Sequence, residues 1–205
     1  MPWGKIKEAF AHGLLSHELL KKVGKLGVNI DLFYLVNEGN FSCSQQWLDS
    51  FQDYTLCVLH RDDMELIAAD HPWDNLDGLR ARIDKGHICI GLKYEDDIVA
   101  FTWADLEECN HVPLRFAMAD NEAYLYDAFT MPRFRGKGLA PYMRYQSYQH
   151  LRSIGRDHYY SISQYFNTSS IQFKQKLNAG FDKLYLSVAR KSGKPHTFQL
   201  RNTAR

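Results

Sequence analysis

Two periods of hydrophobic spacing run along this chain. Between residues 3 and 26, Trp3, Ile6, Phe10, Leu14, Leu19, Val23 and Leu26 return every three to five positions. That spacing predicts helix, with Gly13 and Ser16 marking a break between two. Val28 to Val36 (VNIDLFYLV) and Tyr54 to His60 (YTLCVLH) are dense in branched and aromatic residues and predict strands. Short helices are predicted over 62–69 and 75–83, the second closed by Gly86. A β-hairpin follows, 87–94 with 98–104, turned at Glu95 to Asp97. A strand over 123–131 runs through Pro132 into Arg133-Phe134-Arg135-Gly136-Lys137-Gly138, and a helix over 138–154 carries Leu139, Met143, Ser147, Leu151 and Ile154 on one face. Pro141 fits its first turn, where N–H groups have no helical partner. A strand over 158–165, a helix over 167–178 ending at Gly180, a strand over 181–190 and a short strand over 197–201 pairing back on it complete the chain. Such an order predicts an α/β (α+β) fold, a mixed sheet with helices on its faces and not a doubly wound one.

Length allows one domain with a modest extension: the chain has 205 residues. Apolar residues make up 45% and charged residues 24%, which excludes a disordered tail, a collagen-like repeat and a disulfide miniprotein. Lys and Arg (25) nearly cancel Asp and Glu (24), so bulk charge does not point to nucleic acid. Cys43, Cys57, Cys89 and Cys109 form no CxxC pair, and His87/Cys89 and Cys109/His111 lack a second half, so buried thiols are expected and no metal. No apolar run approaches the ~20 residues of a membrane span, and no secretory h-region opens the chain. The expectation is a cytoplasmic protein. The N-terminal stretch is basic and amphipathic, which suits packing on the main body better than an anionic membrane.

Candidate chemistry concentrates after the strand over 123–131. Gly136 and Gly138 let the backbone turn tightly, and the following helix aims its positive end at the same place. Arg133, Arg135 and Lys137 add charge, giving an anion site suited to phosphate or pyrophosphate. The loop is neither a Walker A sequence nor a dinucleotide fingerprint, which needs a third glycine where Pro141 stands. Charge is segregated around it. Residues 133–156 hold six bases and no acid, whereas residues 95–127 hold nine acids and one base, Arg115. Bordering one cleft, the two stretches would favour an anionic donor at one end and a cationic acceptor at the other.

Arg133-x-x-Gly136-x-Gly138, between a strand and a helix, resembles motif A of the GNAT superfamily of N-acyltransferases. A second hallmark, Asn167-x-x-Ser170 leading to Gly180-Phe181, follows in order. The resemblance covers roughly 150 residues, from about Tyr54 to Arg201. It implies a GNAT-like, mostly antiparallel sheet with a splayed parallel strand pair, residues 51–205 as the acyltransferase domain and residues 1–50 as an extension packed on it. It further implies acetyl-CoA or another acyl-CoA as co-substrate. The backbone at Phe129 and Thr130 would bond the pantetheine amides, N–H groups of Arg135, Gly136, Lys137, Gly138, Leu139 and Ala140 would hold the pyrophosphate, and Asn167 with Ser170 would lie near the thiol.

The chain departs from the family pattern where proton transfer is concerned. The usual tyrosine seven residues after the asparagine is Lys174, which leaves Tyr165, Tyr185 or water to protonate the leaving thiolate. Asp127 and Glu122, on or beside the strand before motif A, are the candidate catalytic carboxylates, as general base or as holder of a cationic amine. The expected activity is direct acetyl transfer from acetyl-CoA to a primary amine, with a small-molecule acceptor, no nucleic acid and no membrane span; a homodimer stays open. The alternatives are a long-chain acyltransferase using acyl-CoA or acyl carrier protein, and a non-catalytic acyl-CoA-binding module.

Overall fold

The structure, a computed structural model, describes residues 28–70, 75–190 and 193–202; the helical prediction over 3–26 lies outside them. In chain order come β1 (Val28–Glu38), α1 (Gln45–Asp49), β2 (Tyr54–Leu59), a 3-10 turn (Arg61–Asp63) running into α2 (Met64–Asp70), and α3 (Leu76–Asp84). Next are β3 (Ile88–Tyr94), β4 (Asp97–Asp105), β5 (Glu108–His111), β6 (Leu114–Ala117) and β7 (Glu122–Thr130). A 3-10 turn (Pro132–Phe134), α4 (Leu139–Ser153), β8 (His158–Gln164), α5 (Thr168–Lys176), β9 (Gly180–Arg190) and β10 (His196–Asn202) complete it.

Three elements were not expected from periodicity, α1 and the two strands of the β5–β6 hairpin. The five-residue α1 is capped by Ser44, which accepts from the Trp47 N–H, and is held by Trp47 packing on Phe41, Phe51, Tyr142 and Tyr145. The β5–β6 hairpin has four residues per strand, too few for an alternation to stand out.

One sheet of eight strands runs β10-β9-β1-β8-β7-β4-β3-β2. Every neighbouring pair is antiparallel except β7 and β8. Strand alternation sorts the core onto two faces. Cys89 and Trp103 gather with Met64, Ile67 and Leu79 of α2 and α3. Their neighbours Ile90 and Ala104 gather with Tyr148 and Leu151 of α4. Met64, Ile67 and Leu79 are fully buried, so truncating any of them to alanine costs about 2–5 kcal/mol.

β1 lies inside this sheet, with Phe33 opposite Tyr185 of β9 on one side and Gln164 of β8 on the other. The parallel pair is short: Glu122, Ala123 and Tyr124 face His158, Tyr159 and Tyr160, and there the register stops. Beyond it β7 stays with β4 as far as Thr130, while β8 stays with β1 as far as Gln164. The sheet is therefore split by a V in its middle. No helix among the described residues is long and apolar enough to cross a membrane.

Candidate active site

The V opens into a cleft of about 680 Å³, lined by residues 125–130 of β7, by Gly136, Gly138, Leu139 and Ala140, by Ile162 of β8, and by Arg144, Asn167, Ser170, Phe173 and Lys174. Past Tyr124 the register of β7 with β8 ends, and that edge of β7 suits an extended amide-bearing chain as it would another strand. Phe129 and Thr130 are on this edge. The Thr130 carbonyl already accepts from Arg135 Nε at 3.1 Å.

At the head of the cleft, Gly136 and Gly138 have φ of +81° and +77°, backbone that L side chains rarely adopt. Gly138 is the N-cap of α4 and brings no capping side chain. The N–H groups of Gly136, Lys137 and Gly138 donate to no described residue, whereas that of Arg135 closes the preceding turn onto the Pro132 carbonyl at 3.3 Å. The donors for an anion are thus the two glycines, Lys137 and the first turn of α4. Of the loop's three basic side chains, Arg135 alone lines the cleft. Arg133 pairs with Asp97 at 3.0 Å, Arg135 stands over Phe129, and Lys137 stands over Phe134.

On the opposite wall, Asn167 caps α5 by accepting from the Ser170 N–H at 3.0 Å. Ser170 Oγ meets Ser163 Oγ at 3.0 Å, and Ser163 Oγ accepts from Lys174 Nζ at 2.7 Å. Lys174 is buried and also donates to Ser161 Oγ at 2.7 Å and the Ile162 carbonyl at 3.2 Å. Behind it is Glu38 at the end of β1, 3.6 Å from Lys174 Nζ and 3.4 Å from Arg144 Nε, accepting hydrogen bonds from Tyr148 and Ser161. Burial works to raise the Glu38 pKa, and the two cations with these hydroxyls outweigh it and hold it low. Burial pulls Lys174 down to about 8 against the pull of Glu38. With two cations to one anion, the cleft floor carries net positive charge. Arg144 Nε and Nη1 are buried without a hydrogen-bond partner among the described residues. Neither Tyr165 nor Tyr185 is among the residues lining the cleft: the first stacks on Tyr34, the second on Phe33.

The candidate carboxylates separate. Glu122 sits where β7 and β8 still pair, accepting from the Ala119 N–H at 2.9 Å and from Tyr160 at 3.1 Å, away from the cleft lining. Asp127 lines the cleft. Simple alternation puts it on the side of Leu125 and Phe129, but the register slips between Phe101 and Trp103 and Asp127 takes φ of +49°. That bulge brings the consecutive side chains Tyr126 and Asp127 to the same neighbour, Arg82 of α3. Arg82 Nη1 is 2.6 Å from Asp127 Oδ2, and the guanidinium lies over the Tyr126 and Trp103 rings.

The same corner holds residues that spacing did not single out as a site. His87 Nδ1 is 2.5 Å from the Tyr126 hydroxyl, and its Nε2 is 3.4 Å from Asp105 Oδ2. Buried Asp105 accepts from the N–H groups of Glu107 and Glu108. Burial lowers the His87 pKa, opposed by Asp105. His87 and Asp105 meet through the pairing of β3 with β4, and Tyr126 joins them through the pairing of β4 with β7. The bridge residues of that pairing, Trp103 opposite Tyr126, are the signal that locates them.

Residues 44–181 match the profile of the acetyltransferase (GNAT) family. No curated protein matches the chain by sequence. Among solved structures, its fold is similar to a GNAT-family acetyltransferase from Novosphingobium aromaticivorans, with 17% identity, a TM-score of 0.55 and coverage of 80% of this chain and 68% of that one. It is also similar to a GCN5-related N-acetyltransferase-like protein from Streptococcus suis, with 14% identity, a TM-score of 0.54 and coverage of 85% and 67%.

Proposed function

The chain belongs to the GNAT acetyltransferase family, and on that premise we propose that it moves the acetyl group of acetyl-CoA to a primary amine by direct attack within a ternary complex. The observation that carries this reading is the V between β7 and β8, which leads to an α4 N-terminus without a side-chain cap. The edge of β7 beyond its register with β8 suits the pantetheine amides, and the N–H groups of Gly136, Lys137 and Gly138 with the first turn of α4 suit the pyrophosphate.

At the reacting end, the floor formed by Glu38, Arg144 and Lys174 favours the negative charge that develops on the carbonyl oxygen and then on the leaving sulfur. Asp127, fixed by Arg82, presents carboxylate charge to an incoming ammonium group from the other wall. Holding both reactants together supplies much of the acceleration. Direct transfer is also supported by three of the four cysteines: burial pushes Cys57 and Cys89 up and Cys109 to about 11, leaving these three thiols poor nucleophiles at neutral pH.

Calorimetric titration with acetyl-CoA, followed by thiol release with a panel of primary amines, tests this function. Saturable binding and amine-dependent release of CoA are expected. Absence of acetyl-CoA binding overturns the donor assignment, and binding without release for any amine overturns the transferase reading in favour of a binding module.

A further inference from the structure

We propose that Tyr126, His87 and Asp105 form the proton-accepting relay for the acceptor amine, with the Tyr126 hydroxyl as the group that meets the ammonium. The inference rests on the amine-acetyltransferase reading and goes beyond it by naming where the proton goes. Asp105 is buried and held by two backbone N–H groups. His87 Nε2 faces the Asp105 carboxylate at 3.4 Å, and because a carboxylate only accepts, we assign the ring hydrogen to Nε2. Nδ1 then holds the lone pair, and it faces the Tyr126 hydroxyl at 2.5 Å. The ring of His87 is nearly enclosed, and Tyr126, not His87, lines the cleft. A proton from the cleft therefore reaches the imidazole through Tyr126.

The neighbouring charges pull His87 in both directions. Facing His87 are Arg82 on α3, Lys85 just after it, Asp105 on β4 and Glu107 beyond β4. Burial and the two cations pull the His87 pKa down and favour the neutral ring, while Asp105 pulls it up and favours the imidazolium. Burial pushes the Tyr126 hydroxyl well up, so it does not ionise alone and hands on one proton as it receives another. Arg82 over its ring favours the partial negative charge that builds on its oxygen meanwhile.

In the step itself, an ammonium N–H proton passes to Tyr126 Oη as the tyrosine's own proton passes to His87 Nδ1. The lone pair left on nitrogen forms the N–C bond to the thioester carbonyl carbon. The C–S bond then breaks, its electron pair leaving on sulfur, which takes up the second proton lost by nitrogen. His87 afterwards returns its proton to water. No oxidant, metal or covalent enzyme intermediate enters the balance.

Tyr126→Phe and His87→Gln test the relay on the full chain, with an amine that the wild type acetylates. Tyr126→Phe keeps the ring against Arg82 and Trp103, and circular dichroism with acetyl-CoA titration checks that both variants fold and bind the donor within about twofold. At pH 7 each is expected to lose on the order of 10²-fold in kcat/KM, the scale of a lost acid–base group. The loss should shrink steadily as pH rises towards the amine's own pKa, because a free amine needs no proton acceptor. A loss of equal size at every pH, or no loss, overturns the relay while wild-type turnover keeps the transferase reading. A wild type that binds acetyl-CoA but acetylates no amine overturns both.

Discussion

Asp127 carries two roles that its sequence position does not separate. Its backbone sits at φ of +49° in the bulge, and its carboxylate is tied to Arg82 at 2.6 Å. Asparagine also tolerates this backbone region, so Asp127→Asn removes charge without opening the bulge. We expect acetyl-CoA affinity within about twofold of wild type and a fall in kcat/KM on the order of 10²-fold at pH 7. Unchanged kinetics would assign the carboxylate to structure alone. Gly138 makes the complementary case on the donor side. Among the described residues a Cβ there meets Phe51 alone, at 3.5 Å, so there is room for a side chain, but φ of +77° strains one by about 1–2 kcal/mol. Gly138→Ala is expected to stay folded with a modest loss of stability. Gly138→Glu sets a carboxylate among the anion donors and is expected to abolish acetyl-CoA binding while circular dichroism stays native.

Elements were more legible than their contacts. The glycine turn, the strand before it and the helix after it fall where the residues place them, because a tight turn with positive φ and a proline in a first helical turn are local demands. The bulge at Asp127 was not legible, since alternation assumes an unbroken ladder, and neither was the relay corner, which exists only through strand pairing. Glu38 shows the same limit: it closes an alternating strand, and nothing local says that it is buried. Its two cations, Arg144 and Lys174, lie more than a hundred residues downstream. Glu38→Gln would leave two buried cations uncompensated, so we expect destabilisation of roughly 3–5 kcal/mol in denaturant unfolding. Lys174→Met keeps the Glu38–Arg144 pair and should cost less. Lys174 also has a pH signature. Between its folded value of about 8 and the ordinary lysine value, the unfolded chain holds a proton that the folded chain has released, so this group makes stability rise with pH through that window. Lys174→Met should erase that rise, and the reverse order of costs would place the cluster's anchor on the lysine.

Across the whole molecule, the V divides the sheet into β10-β9-β1-β8 and β7-β4-β3-β2, joined along the parallel seam by three residue pairs. The anion donors of the Gly136–Gly138 turn lie at one end of the cleft, and Asp105, Asp127 and Glu107 gather at the corner beside Tyr126. A donor that lies along β7 and reaches the α5 wall would bridge both halves and shift the equilibrium towards the folded state by mass action. At acetyl-CoA near a hundred times its Kd, the gain is about 2.7 kcal/mol, and for a chain of this size that raises Tm by roughly 5–10 °C. Thermal unfolding should show this shift for the wild type and for Tyr126→Phe, whose change lies on the acceptor side, and none for Gly138→Glu. Hydrogen exchange should slow most in residues 125–140 and in the first turn of α5, because those segments line the cleft. A stabilisation of the same size in Gly138→Glu, or protection confined to β9 and β10, would mean that acetyl-CoA binds outside the V and would take the donor site with it.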